Sequence, residues 1–321
     1  MQTEIVAAEL ESSVARALEL LGAGQVVALP TETVYGLAAD ALNPDAVAKI
    51  FEAKERPRFD PLIVHLPDQK ALDQVGEAGT KIIRQLTEAF WPGPFTIVLP
   101  KREAIPDIVT AGLETVAVRM SANSIFAKIV AQFGRPIAAP SANRFGRISP
   151  TQASHVLDEL GGRIPLIVDG GPTQHGIEST IVRIVGGSIE ILRSGPITAQ
   201  KLAQFAPIVE HRLNDTVLAP GQLPSHYAPR AKLILVDALE GFSGPSGKRI
   251  AALSFRGSTA LRKFWITGQL SKRGDLCEAA ANLFQTLREL DRRNPDLIVA
   301  ELVPEQGIGV AINERLRRAA G

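Results

Sequence analysis

The 321-residue chain reads as an α/β protein: a twisted mixed sheet with flanking helices, followed by a small Rossmann-like α/β domain. Three observations lead there. Strand-like and helical stretches alternate, but irregularly, over the first two thirds of the chain. The runs Ser179 to Val185 and Ser188 to Leu192 flank Gly186-Gly187 as the arms of a hairpin, which a regular doubly wound sheet would lack. From about Phe205 the texture turns proline-rich, and beyond it a second, shorter series of strands and helices begins.

The elements follow in order. Val14, Ala17, Leu18 and Leu21 have helical spacing and are closed by Gly22 and Gly24. The apolar run Gln25 to Leu29 is a strand that stops at Pro30. Asn43-Pro44-Asp45 places a cap and a first-turn proline before a helix to Ala53. A strand from Leu62 to Leu66 and a helix from Gly79 to Phe90 follow, the latter halted by Trp91-Pro92-Gly93-Pro94. Phe95 to Leu99 and Thr115 to Met120 are strand-like, Ser124 to Phe133 helical, Gln152 to Leu160 helical, and Leu166 to Asp169 a strand. Ala219 to Pro229 has neither helical nor strand period and reads as a stiff linker. Lys232 to Asp237, Ile250 to Phe255 and Asp296 to Leu302 are expected strands; Asp275 to Arg292 and Ala311 to Ala319 are expected helices. The expected domains are therefore 1–205, a linker or lid at 206–231, and 232–321.

Bulk charge excludes some functions. Lys+Arg of 35 against Asp+Glu of 34 leaves no general affinity for polyanions, so any nucleotide site must come from local clustering. One cysteine, Cys277, excludes an internal disulfide and a Cys-rich metal site; set among Leu276, Ala279 and Ala280, it is expected to be a small buried hydrophobe in a reducing cytoplasm. Met1 to Leu10 does not have the pattern of a signal peptide, and no run of apolar residues is long enough for a membrane span.

Common catalytic motifs fail. Gly22-Ala23-Gly24 precedes a strand instead of following one, and Gly247-Lys248 has Phe242 where a P-loop needs glycine. The five histidines lack metal-pair spacing, so no resident metal site is expected. No Gly-x-Ser-x-Gly elbow is present, which leaves Ser141 and Ser179 as ligand-binding hydroxyls. The informative stretch runs from Leu29 to His65. Two strand ends with Lys54 and Arg56 between them bring hydroxyls, cations and an imidazole toward one anionic ligand. Arg119 breaks the apolar run Val116-Ala117-Val118 at a strand end, where a guanidinium requires a carboxylate or phosphate. Singly, each of these residues could equally cap a turn or face solvent.

Together the motifs resemble the threonylcarbamoyl-AMP synthase family, whose members carry a YrdC-like domain. They are Pro30-Thr31-Glu32-Thr33-Val34-Tyr35-Gly36-Leu37, Lys54-x-Arg56-Pro57 with Pro61-Leu62-x-x-His65, Trp91-Pro92-Gly93, Val118-Arg119, Pro140-Ser141-Ala142-Asn143 and Glu178-Ser179-Thr180-Ile181. Pro220-Gly221 to His226-Tyr227-Ala228-Pro229 and the ending Gly307-x-Gly309-x-Ala311-x-Asn313-x-Arg315-Leu316 resemble the long form, which has an extra C-terminal domain.

The resemblance implies that L-threonine, bicarbonate and ATP, with Mg2+ on its phosphates, give threonylcarbamoyl-AMP and pyrophosphate. The product would pass to downstream tRNA threonylcarbamoyl transferase proteins for threonylcarbamoyladenosine modification. It also implies roles. Thr33, His65, Arg119 and Ser179 would surround threonine, with Arg119 on its carboxylate. Lys54, Arg56, Asp60, Thr115, Ala139, Ser141, Asn143, Ser149 and Arg193 would meet ATP, and His226 or Tyr227 would close over it. Lys54, Arg56 and Arg119 would neutralise charge during the reaction. Two positions depart from the family pattern: Asp60 stands where Asn is common and is expected to face magnesium or ribose, and Ser121 replaces a usual proline. The rival reading is an RNA-binding module of the same fold, with at most weak RNA affinity given the charge and the scarcity of Tyr and Trp.

Overall fold

The computed structural model describes residues 2–209, 219–221, 226–257 and 259–321. Strand β1 (Glu4–Ala7) precedes α1 (Glu11–Gly22), β2 (Val27–Leu29), β3 (Gly36–Asp40) and α2 (Pro44–Lys54). Next come β4 (Ile63–His65), α3 (Leu72–Val75), α4 (Lys81–Phe90), β5 (Phe95–Pro100), α5 (Asp107–Thr110), β6 (Thr115–Arg119) and α6 (Ser124–Phe133). Then follow β7 (Ile137–Ala138), α7 (Ala153–Leu160), β8 (Leu166–Asp169), β9 (Thr180–Val185), β10 (Ser188–Arg193), α8 (Ala199–Leu202) and β11 (Ile208–Val209). All eleven strands join one sheet in the order β1-β8-β2-β3-β7-β4-β6-β5-β9-β10-β11. Its pairs are parallel and antiparallel by turns, so the sheet is mixed.

The local causes are those of the sequence. Asn43 caps α2 by accepting from the Asp45 and Ala46 amides, with Pro44 at the first turn. Gly186 and Gly187 both take positive φ between the antiparallel β9 and β10, as a two-residue hairpin turn demands. Five strands were not expected: β1, β3, the two-residue β7, β11 and, in the second sheet, Ile266–Gln269. In β3, Gly-Leu-Ala-Ala-Asp has no β-branched residue, and its pairing with β2 and β7 outweighs propensity. β1 is held by parallel pairing to β8. β11 pairs with β10, so the first sheet continues into the stretch expected as linker. The rest of that stretch is described only at 219–221 and 226–231.

A second sheet, entirely parallel, has the order β12-β15-β13-β14, from β12 (Leu233–Val236), β13 (Ile250–Ser254), β14 (Ile266–Gln269) and β15 (Leu297–Glu301). Helices α9 (Leu276–Arg292) and α10 (Gly309–Ala320) pack on it. Asp275 caps α9 through the Glu278 amide. Cys277 is exposed, not buried: the apolar face of α9 runs through Ala280, Leu283, Phe284 and Leu287, and Cys277 lies off it. The hydrophobic cluster of this small sheet also takes in Val34, Ile148, Ile177 and Tyr227, so it is continuous with the loops around the site. No helix of the described residues is long and apolar enough to cross a membrane.

Candidate active site

The site begins where β2 meets Pro30, which has no amide to continue the ladder. Thr31 then closes a tight turn: its hydroxyl donates to the Val34 carbonyl at 2.6 Å and accepts from the Thr33 and Val34 amides at 3.1 and 3.2 Å. This presents Thr33 to one wall of a cavity. At the end of α2, Glu55 takes a left-handed φ of 53° and turns the chain toward Arg56. The Lys54 ammonium donates to the carbonyls of Ser141 and Asn143, each at 2.5 Å, and so clamps the loop that follows β7. Burial, and then the neighbouring Arg56 charge, pull the Lys54 pKa well below its ordinary value.

Arg56 is fixed by the chain that follows it. Its Nε and Nη2 donate to the carbonyls of Asp60 and Pro61 at 3.2 and 2.8 Å, and Nη2 lies 2.8 Å from Asp60 Oδ2. Asp60 is wholly buried, and burial raises its pKa despite Arg56, Lys54 and Arg193 around it. The negative charge at this departure from the family pattern therefore faces a guanidinium within the protein.

His65 and Arg119 end the parallel strands β4 and β6 directly opposite one another. The His65 ring packs 4.6 Å from that of Phe126, and burial, reinforced by Arg119, lowers its pKa to about 3, so the imidazole is neutral at physiological pH. Arg119 Nη2 donates to Glu32 Oε1 at 2.6 Å and to the Thr33 hydroxyl at 3.0 Å, and Nε reaches the Gly93 carbonyl at 3.3 Å. Ser121 donates to the other Glu32 oxygen at 2.5 Å. Burial opposes ionisation of Glu32, but the Arg119 charge and these hydrogen bonds prevail and lower its pKa to about 2.

The Ser179 hydroxyl shares a 2.8 Å hydrogen bond with Thr96, the cross-strand partner of Arg119, and accepts from Arg193 Nη2 at 3.0 Å. Arg193 Nη1 donates to the Pro220 carbonyl at 3.2 Å, tying the segment at 219–221 to the sheet. The Ser149 hydroxyl donates to Glu178 Oε1 at 2.5 Å. Tyr227 adopts a left-handed φ of 64°, with its ring 4.1 Å from that of His226.

One cavity brings together Thr33, Arg56, His65, Arg119, Ala139, Ser141, Arg193, His226 and Tyr227. Lys54, Asp60, Ser149 and Ser179 do not line it but bond residues that do: Ser141, Arg56, Glu178 and Arg193. Asn143 is also off the lining and donates its side-chain amide to the Arg144 and Arg147 carbonyls. Thr115 is not brought in: it opens β6, about 13 Å along the strand from Arg119. Sequence reasoning gave no role to Glu32 or Glu178, although both lie inside the motifs it singled out. Gly36 also lines the cavity; a side chain there would press on Ala139 at 3.3 Å. The cavity measures about 40 Å3. Small-molecule pockets usually span roughly 300–1,000 Å3. Pro220, Gly221, His226 and Tyr227 are among its lining residues.

Comparisons agree with the two-sheet architecture. A family model described as "Telomere recombination", the Sua5, YciO and YrdC group, matches residues 19–195, and one described as "Threonylcarbamoyl-AMP synthase, C-terminal domain" matches residues 197–321. The threonylcarbamoyl-AMP synthase of Pyrococcus abyssi is 41% identical, over 93% of this chain and 91% of its own length. That of Bacillus subtilis is 40% identical, over 97% and 94%. The crystal structure of P. abyssi Sua5 complexed with L-threonine superposes with a TM-score of 0.90 at 38% identity, covering 100% of this chain and 98% of that one. With two family models spanning nearly its whole length and relatives this similar end to end, the chain belongs to the threonylcarbamoyl-AMP synthase family, in the form with the added C-terminal domain.

Proposed function

We propose that the protein is an L-threonylcarbamoyladenylate synthase, an ATP-dependent nucleotidyltransferase that makes threonylcarbamoyl-AMP and pyrophosphate from L-threonine, bicarbonate and ATP. The observation that carries the reading is the juxtaposition in one cavity of two cationic groups. Arg119 lines it together with Thr33 and His65, and Arg56 and Arg193 line it together with Ser141. Such a cavity suits two anions held side by side. Arg119 takes the threonine carboxylate, with Thr33, His65 and Ser179 around the amino acid. Arg56 and Arg193 take the triphosphate, with Ser141, Ala139, Asn143 and Ser149 shaping that side and Lys54 behind them.

The chemistry needs little more. Threonine carbamate is already an anion, so its oxygen attacks the α-phosphorus without a side-chain base, and the bond to pyrophosphate breaks. The protein's part is to position the two anions and neutralise their charge. A neutral His65 fits this role, offering a hydrogen bond without adding charge beside Arg119. Magnesium enters as part of the nucleotide substrate. Among the described residues no three His, Cys, Asp or Glu side chains cluster for a metal, and Mg2+ commonly rides on phosphates and water. His226 and Tyr227 form the strap over the nucleotide, a reading their place in the lining of a narrow cavity supports, and the strap shifts when ATP enters and product leaves. The product then passes in the cytoplasm to proteins that modify tRNA.

The test is pyrophosphate release from MgATP with bicarbonate, with and without L-threonine, serine or allothreonine. Release that requires both bicarbonate and threonine is expected. ATP binding without threonine-dependent release would overturn the reading in favour of a binding module, which salt-sensitive RNA binding would then identify.

A further inference from the structure

The closing motif Gly309-x-Ala311-x-Asn313-x-Arg315 has no role in the chemistry above, yet all three of its polar or constrained positions are committed. A side chain on Gly309 would sit 2.1 Å from the Pro304 carbonyl. Asn313 accepts from the Val303 amide at 2.9 Å and donates to the Val303 carbonyl at 2.8 Å. Those two residues build the corner between β15 and α10. Arg315 instead leaves the small domain. Its Nε donates to Glu178 Oε2 at 3.0 Å, both side chains being at most 8% exposed, and its guanidinium lies 5.5 Å from the Tyr227 ring centroid.

Apart from its chain neighbour Glu314, 3.5 Å from Nη1, the groups that Arg315 meets both line the cavity. Glu178 lines it and, through its other oxygen, holds the Ser149 hydroxyl. Tyr227 lines it as half of the strap. The neighbours of Arg315 on α10 act in the same direction: Glu314 accepts from the Ser194 amide at 3.0 Å, beside Arg193, and the Arg318 carbonyl accepts from the His226 amide at 3.1 Å. Helix α9 supports the same loops, since Arg288 donates to the Ile148 and Ser149 carbonyls and Phe284 stacks on Tyr227. No comparable contact from the small domain reaches Arg119, Glu32 or Thr33 among the described residues. A buried guanidinium placed on a carboxylate and an aromatic face orients both through fixed geometry, which a flexible ammonium would not do.

We propose that Arg315 is a positioning residue for the nucleotide, holding Glu178, Ser149 and the Tyr227 strap in register from the C-terminal domain. That domain is thus a structural part of the ATP site. The proposal rests on the synthase reading only for the identity of the nucleotide.

The experiment measures ATP and L-threonine binding separately by calorimetry on the full chain, for wild type, R315K, E178Q and R315K/E178Q, alongside KM for each substrate. R315K and E178Q are each expected to weaken ATP about tenfold, the scale of one charge-assisted hydrogen bond. Threonine affinity should stay within about twofold, and the double variant should be no more than about twofold worse than the weaker single. Equal losses for both ligands, unchanged ATP affinity, or losses that multiply would overturn it. Should the buried pair prove necessary for folding, S149A and Y227L leave the pair in place and remove what it positions. An ATP-selective loss in them supports the proposal, and wild-type ATP affinity overturns it. Wild-type protein that binds both ligands but releases no pyrophosphate would refute the synthase reading instead and leave this test readable.

Discussion

Arg119 and Glu32 form a buried ion pair at 2.6 Å, each side chain only 4% exposed, with the Thr33 hydroxyl 3.0 Å from the same Arg119 nitrogen. The residue proposed for the threonine carboxylate is therefore already aimed by an internal carboxylate. Its bonds use Nε and Nη2, and among the described residues no hydrogen bond engages Nη1. Glu32 thus acts as the guide that turns the remaining edge of the guanidinium toward the cavity.

From this arrangement Arg119→Lys should lower kcat/KM for threonine at least tenfold, roughly the 1.5–3 kcal/mol of a charge-assisted hydrogen bond, while KM for ATP changes little. Lysine keeps the charge but lacks the planar fork whose separate nitrogens reach Gly93 and Glu32 while leaving an edge for a ligand. Threonine titration at saturating ATP checks this. Activity within about twofold of wild type would remove Arg119 from the threonine site.

Asp60 presents a conflict between stability and binding. It is wholly buried against Arg56, yet its charge opposes phosphates approaching Arg56 and Arg193. Removing one partner of a buried pair typically costs about 3–5 kcal/mol, less where the replacement amide keeps a hydrogen bond. Asp60→Asn is therefore expected to lower the urea midpoint and, at the same time, to lower KM for ATP. If KM for ATP instead rises while the fold is unaffected, Asp60 would act on the nucleotide directly.

Acid should destabilise the protein in two stages. His65 and His226 fall from 6.5 to about 3 on folding, chiefly through burial. Below pH 6.5 the unfolded chain takes up protons that the folded chain refuses, so stability held above that pH is lost as pH falls toward 3, at about 1 kcal/mol per pH unit for each histidine. Glu32, lowered from 4.5 to about 2, stabilises above pH 4.5 and loses that contribution as pH falls through 2. Urea midpoints at pH 7.5, 5.5 and 4 should decline steadily, and His65→Gln should flatten the first interval. An unchanged slope in that variant would mean that His65 is protonated in the folded protein.

The parts of the site legible in the sequence are those whose chemistry is written locally. Arg119 interrupts an apolar strand, Thr31 to Thr33 follow a strand-stopping proline, and Lys54 and Arg56 end a capped helix. What stayed hidden depends on contacts between distant segments. Glu32 and Glu178 acquire their roles only when Arg119 and Arg315 arrive from 87 and 137 residues away. Strand β3 has weak propensity and forms because β2 and β7 pair with it. Thr115 starts the strand that Arg119 ends and is not among the cavity's lining residues, and Cys277 sat on an apolar helix, but off its buried face. Helical and strand periods report that one face is buried, and they identify neither the partner nor the end that carries a site.

Ser121 supplies the sharpest local test, because its hydroxyl has two tasks. Its hydroxyl donates to Glu32 Oε2 at 2.5 Å and accepts from the Asn123 amide at 3.2 Å, at the entrance to α6. Ser121→Ala leaves a buried carboxylate oxygen without its donor, at a cost of about 1–3 kcal/mol, and the Glu32 pKa should rise from about 2 toward the ordinary carboxylate range. Glu32 stays ionised at neutral pH but loses the bond that orients it, and so guides Arg119 less well; KM for threonine should rise severalfold with KM for ATP unchanged. Urea unfolding and threonine titration of the one variant read both effects. A stability loss without any change in KM for threonine would show that Arg119 keeps its aim unaided, and that Glu32 serves the fold rather than the amino acid.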